Sequence, residues 1–246
     1  MIVCHTADMI EPRHAPVLPR RLTPYQARLL AIATALVAVG VAALSIDLPV
    51  AAWCKAARLR GDVGRFVNLL EIVGNSGGAA VILIAAVTLD RGLRMPFSWT
   101  SAGGMQAFLR MIAATYLGGL VVDVIKISVP RVRPHACDLG AVGAWVETFG
   151  SGSRAAAATG DSILKSFPSG HSAVAAGLAA ALAWRYPHGW PLFAAIAAAT
   201  AFQRVITSAH YPSDVACGAA IGLIAAACCL GGPRAPRHSV APGGTA

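Results

Sequence analysis

The chain has 246 residues, 56% of them hydrophobic and only 13% charged, with a formal net charge of +9 from 20 Lys and Arg against 11 Asp and Glu. A soluble domain covers its surface with roughly 25% charged residues, so half that share excludes an intrinsically disordered chain and argues against a water-soluble globule. The apolar residues fall in runs near the ~20 residues that cross a bilayer. The cations are scattered between those runs, which fits lipid headgroups as their partners and not nucleic acid.

Residues 1–24 are polar and proline-bearing, with Arg13, Arg20 and Arg21, and predict a flexible N-terminal tail. No apolar region follows the start directly, as a cleavable signal peptide would need. A first span is predicted over 25–46, then a charged connector over 47–65 with Trp53 at the interface. The second span, 66–89, is weak in its first half, where Glu71, Asn75, Ser76, Gly77 and Gly78 interrupt it, so a break is expected there. After a short loop comes a third span over 105–129, stopped by Pro130. A long polar stretch, 135–167, is expected to cover one end of the bundle, with Trp145 and Phe149 as interfacial anchors. Further spans are predicted over 169–185, 190–209 and 213–230, and the Gly- and Pro-rich residues 231–246 read as a disordered tail. The fold class is therefore all-α: a polytopic membrane bundle of about six transmembrane helices, one domain over 25–230, with the active site at one membrane interface.

Six spans place both tails on one side. Lys and Arg divide evenly between the two sides until three assigned to chemistry below are set aside, which leaves ten inside against seven outside. The positive-inside rule then puts the tails in the cytoplasm, and the expected location is a bacterial inner membrane with the site facing the periplasm. Six cysteines without regular spacing do not make a disulfide framework. Cys217, Cys228 and Cys229 read as small hydrophobes, and a bridge between Cys54 and Cys137 in the outer connectors is left open.

Three segments at span boundaries on the same predicted side hold the chemistry: Lys126 to Arg133-Pro134, then Pro168-Ser169-Gly170-His171, then Gln203-Arg204 with His210 and Asp214. Ionisable groups in or beside spans are costly and are functional by default. These segments resemble the three signature motifs of the type 2 phosphatidic acid phosphatase superfamily: Lys, six residues, Arg-Pro; then Pro-Ser-Gly-His; then Ser-Arg, five residues, His, three residues, Asp. The order and spacing match, and Gln203 stands where Ser is usual. The resemblance covers roughly residues 60–230.

The residues make sense without the family. A phosphoryl group in transfer carries charge on three equatorial oxygens, and a metal-free site must neutralise it with fixed cations and N–H groups. Lys126, Arg133 and Arg204 supply positive charge, the arginines as bidentate donors. Ser169 and Gly170 open a helix, where backbone N–H groups lack intrahelical partners and can face an anion. His210 is the candidate nucleophile, forming a phosphohistidine, with Asp214 holding its other ring nitrogen. His171 serves as general acid on the leaving oxygen and then as base on water. The resemblance implies the same roles. Surrounding Lys and Arg make the His/Asp cluster a poor cation site, so neither metal nor cofactor is expected. Arg131 reads as a headgroup contact, Glu71 and Asn75 as polar contacts inside the bundle, and Asp123 as a pairing partner of Lys126 on one helix face. His135 is assigned no role.

The expected function is metal-independent hydrolysis of a lipid phosphate mono- or diphosphate ester, of the polyprenyl diphosphate, phosphatidic acid or phosphatidylglycerol phosphate type. The expected partners are that lipid and the bilayer, with no nucleic acid; the oligomeric state is left open. A lipid phosphotransferase using the same site, and a non-catalytic lipid-phosphate transporter or scaffold, stand as alternatives. Vanadate-dependent haloperoxidases share the motifs but are soluble, which the apolar spans argue against.

Overall fold

The computed structural model describes residues 22–57, 61–90, 102–150 and 161–231. Most of both predicted tails, and Arg58, Arg60, Arg91, Arg94 and Arg154, lie outside the described residues. Thr23 starts α1 (Pro24–Ala43) with a capping box to Gln26 and Pro24 in the first turn, the arrangement that satisfies otherwise orphaned N–H groups. Then follow α2 (Asp47–Ala57), α3 (Gly61–Leu69), α4 (Glu71–Gly74), α5 (Ser76–Leu89), α6 (Ala102–Ser128), α7 (Gly170–Arg185), α8 (Trp190–Ile206) and α9 (Pro212–Cys229). The polar stretch between α6 and α7 holds short 3-10 turns and no regular strand among the described residues, only isolated bridges of Arg131 to Phe149 and to Lys165.

The all-α membrane bundle stands. Among the described residues, α1, α6, α8 and α9 are long and apolar enough to cross a bilayer, and 67–74 with 76–89 make a fifth candidate bent by 72°. The bend falls where the sequence predicts a break. Asn75 caps α5 by accepting from the Gly77 N–H at 2.9 Å, and a Cβ on Gly78 would lie 1.8 Å from the Ile72 carbonyl oxygen. The remaining predicted span, 169–185, is α7, which has 16 residues. At 1.5 Å per residue it is about 24 Å long, shorter than the ~30 Å hydrocarbon layer. Eleven of those residues are buried, so α7 is the central post of the bundle, packed against α6, α8 and α9.

Apolar side chains lie on both the inside and the outside of this bundle. The core gathers Leu29, Leu83, Met111, Leu178, Leu182 and Leu223, while Val37, Val81, Ile84, Val124 and Phe202 face outward and exposed. An apolar exterior of that extent needs lipid as its solvent. Helices in lipid gain little from hiding Leu and rely on close backbone approach. Accordingly, a Cβ on Gly177 would lie 2.3 Å from the Ala114 carbonyl oxygen, and one on Gly222 2.2 Å from that of Ala173. These contacts lock α7 against α6 and α9.

Candidate active site

The three motifs meet at one end of the bundle, where α6 and α8 finish and α7 and α9 begin. Pro130 ends α6, and the next residues run extended between two loop segments. Val132 N–H donates to the Thr148 carbonyl at 2.8 Å, Arg131 N–H to Leu164 at 2.7 Å and Arg133 N–H to Ile163 at 2.8 Å. His135 N–H donates to the Ser208 carbonyl at 3.0 Å, tying the first motif to the turn of the third. In that turn Ser208 takes a left-handed φ of 55°, and the N–H of His210 returns to the Arg204 carbonyl at 3.0 Å. The spacing between Arg204 and His210 is thus set by one closed turn.

His210 is buried and its Nδ1 lies 2.7 Å from the Ser166 carbonyl oxygen. A carbonyl only accepts, so Nδ1 carries the proton and the neutral ring keeps its lone pair on Nε2. Burial pushes the His210 pKa below the usual imidazole value, opposed by Asp214. The Asp214 carboxylate is 3.7 Å from Nδ1, an ion-pair distance and not a hydrogen bond. The ring is therefore oriented by Ser166, with Asp214 behind it as a charge, where the sequence reading gave Asp214 the ring nitrogen directly. Asp214 Oδ2 accepts from Ser166 Oγ at 2.6 Å and from the Tyr211 N–H at 2.9 Å, the latter also capping α9.

Ser169 also departs from expectation. Its N–H donates to the Asp214 carbonyl at 2.9 Å, its hydroxyl caps α7 at Ser172, and it is fully buried. The first-turn amides left to face an anion are those of Gly170 and His171. Lys126 stands close by, since a Cβ on Gly170 would lie 3.4 Å from its Nζ; Asp123, mostly exposed, is 3.9 Å from the same ammonium. Arg133 is half-buried with its Nε lacking any partner, and burial followed by the Arg204 charge lowers its pKa. The His171 Nε2 is likewise buried without a hydrogen bond, 3.5 Å from Glu71. His171 interacts electrostatically with Arg204, Glu71, His210 and Lys126. Buried polar atoms without partners are rare in folded proteins, and two of them converge on one site. A cavity of about 490 Å³ opens beside His171, lined by Asn75, Tyr116, Asp123, Lys126 and Gly170. A separate groove of about 610 Å³ between α1, α7, α8 and α9 is lined mainly by Ala, Leu and Phe and suits hydrocarbon.

Several residues have functions the sequence reading did not assign. Glu71 reaches across from α4 to grip Arg204, Oε2 to Nη2 at 2.7 Å and Oε1 to Nη1 at 3.1 Å, while Gln203 Oε1 accepts from the Arg204 Nε at 2.5 Å. Arg131 is no headgroup contact. It is fully buried, paired with Asp214 and with Asp47 at 2.6 Å, and its guanidinium lies between the rings of Phe149 and Tyr211 at 4.5 and 4.1 Å. Phe149 accordingly packs inward over Arg131 instead of anchoring at the interface. Asp47 Oδ1 accepts from the Ser213 N–H at 3.1 Å, and Oδ2 faces the Ser213 hydroxyl. Burial pushes the Asp47 carboxyl up, opposed by the Arg131 charge and by the Ser213 donors. The only sequence signal for this cluster is a period-2 alternation that puts Arg131 and Arg133 on one side of an extended segment. Cys54 and Cys137 are both buried free thiols.

An anion site of Lys, Arg and two His, built at one end of a lipid-facing helical bundle, defines a membrane protein that handles a phosphate-like group. The PAP2 superfamily model matches residues 107–235, more than half of the chain and all three motifs, and the chain belongs to that superfamily. It is similar to a lipid A 1-phosphatase from Rhizobium johnstonii, 37% identical over 105 residues, or 42% of this chain and 38% of that protein's length. A lipid A 1-phosphatase from Rhizobium etli is 28% identical over 195 residues, covering 75% of this chain and 76% of that one. Among solved structures, a transmembrane PAP2-type phosphatidylglycerolphosphate phosphatase from Bacillus subtilis aligns with a TM-score of 0.50 at 20% identity, over 82% of this chain and 92% of that chain. At that identity the likeness speaks to the fold.

Proposed function

We propose that the chain is an integral membrane lipid phosphatase working through a phosphohistidine without a metal. The observation that carries this reading is the 2.7 Å approach of His210 Nδ1 to the Ser166 carbonyl oxygen, a bond that Nδ1 must donate and that leaves the Nε2 lone pair as a nucleophile. The P–O bond to the leaving lipid alcohol, or to the lipid phosphate of a diphosphate, breaks as Nε2 bonds to phosphorus. His171 delivers a proton to the leaving oxygen, then takes one from the water whose attack breaks the P–N bond, releasing inorganic phosphate and restoring His210. Lys126, Arg133, Arg204 and the amides of Gly170 and His171 hold the equatorial oxygens. Arg204 reaches the phosphate in competition with Glu71.

The substrate is a lipid phosphate monoester or diphosphate whose tail stays in the bilayer. The names of the two Rhizobium relatives put the 1-phosphate of lipid A first among those to try, beside phosphatidic acid, phosphatidylglycerol phosphate and polyprenyl diphosphate. The test is phosphate release from that panel by purified protein in detergent, with and without a chelator. The expected outcome is chelator-resistant release, lost by a factor of at least about 10² in His210→Ala and His171→Ala. Wild-type turnover in either folded variant contradicts the roles of nucleophile and general acid.

A further inference from the structure

Asp47 takes part in no step above. It opens α2, lies outside residues 107–235 and belongs to none of the three motifs. Nevertheless it is fully buried behind the reacting histidine, with Arg131 between it and Asp214. The cluster sets two carboxyl groups against one guanidinium, all 0% exposed; with both ionised against their Arg131 and Ser213 donors, it carries one net negative charge in a place where water cannot screen it. Were Arg131 paired with Asp214 alone, the cluster would be neutral and would do less to stabilise the positive charge the His210 ring takes on as Nε2 bonds to phosphorus.

We propose that Asp47 is a positioning residue for phosphoryl transfer: by sharing Arg131 it keeps a net negative charge on Asp214 directed at His210. The proposal rests on the phosphohistidine reading of the site. The same atoms also allow a plainer use, since Asp47 accepts the Ser213 N–H in the first turn of α9 and so caps that helix. The two uses differ in what they do to the pH profile. His210 feels Asp214 on α9, Lys126 on α6, Arg133 in the extended segment and His171 on α7. Asp47 faces Arg131, with Cys217 of α9 also within its field. Removing the Asp47 charge strengthens the hold of Arg131 on Asp214, which favours the neutral form of the His210 ring and weakens stabilisation of its cationic form.

The experiment compares wild type, Asp47→Asn and Asp47→Glu by kcat and kcat/KM against pH on a lipid phosphate the wild type hydrolyses, with folded protein quantified. Asp47→Asn is expected to lower kcat by about ten- to fiftyfold and to move the acidic limb of kcat/KM to lower pH by roughly one unit. Asp47→Glu, with the charge kept, is expected to leave that limb in place. An unmoved limb and an unchanged kcat per folded molecule in Asp47→Asn, with only stability reduced, overturn the proposal in favour of the cap. Should the Asn variant fail to fold, the Glu variant decides, because a displaced limb despite the preserved charge overturns it equally. Absence of phosphate release by the wild type from every lipid refutes the reading of the site itself, an outcome distinct from either.

Discussion

The surroundings of His210 favour the neutral form of its ring. Burial lowers its pKa, whereas in the unfolded chain an imidazole titrates near 6.5. The sign of the linkage follows. Below pH about 6.5 the unfolded state binds a proton that the native state refuses, so stability is fully present above that pH and is lost as the pH falls toward the folded value. One such group contributes a slope of at most about 1.4 kcal/mol per pH unit. His210→Gln can still donate to the Ser166 carbonyl but cannot titrate. We expect the fall in Tm of the wild type between about pH 6.5 and 5 to be distinctly shallower in that variant; equal slopes would show that the ring is not held neutral. Lys126, Arg133, His171, Arg204, His210 and Asp214 were all legible as a set because each sits in a short motif with fixed spacing. Arg131, Asp47 and Glu71 were not, since each acts through a partner between 83 and 133 residues away, and the alternation of Arg131 with Arg133 names no such partner.

Among the elements, the apolar runs located most spans to within a few residues, and Asn75 with its neighbouring glycines marked the break before α5. What the runs could not convey is which helix sits in the middle. Helix α7 is Ala-rich, short and buried, and its place follows from backbone contacts at Gly177, Gly218 and Gly222. The Gly218 Cβ position lies 2.2 Å from the Ser169 carbonyl oxygen, right at the α7 cap. Because those neighbours are backbone atoms, a methyl group there cannot be accommodated by a side-chain rotation. Gly222→Ala is expected to cost about 1–3 kcal/mol, several degrees of Tm in a chain of this size, and to reduce activity by parting α9 from α7. Gly77→Ala is the control, having only the Asn75 side chain at 3.4 Å, and should stay within about 0.5 kcal/mol of wild type. Thermal unfolding of the two variants in one detergent checks both.

On the scale of the whole molecule, the two ends of the bundle are chemically different. One end holds the motif residues; the other holds the Arg185–Asp90 pair at 2.6 Å, the Tyr186 hydroxyl donating to Asp90 at 2.9 Å, and the exposed His188. The cation tally behind the expected orientation changes once burial is known. Arg131 is enclosed between two carboxylates and so offers nothing to headgroups, which takes one more cation from the outer-side count expected from the sequence. By the positive-inside rule we expect the site on the outer face. Lys165→Cys, near the site, and His188→Cys, in the loop between α7 and α8, test this in a background whose six native cysteines are replaced. A membrane-impermeant maleimide added to intact cells is expected to label position 165 and to reach position 188 only after permeabilisation. The reverse pattern would turn the molecule over, and phosphate would then be released into the cytoplasm from inner-leaflet lipid. Labelling of both positions from one side would contradict the bundle, because α7 would no longer carry the chain from one membrane face to the other.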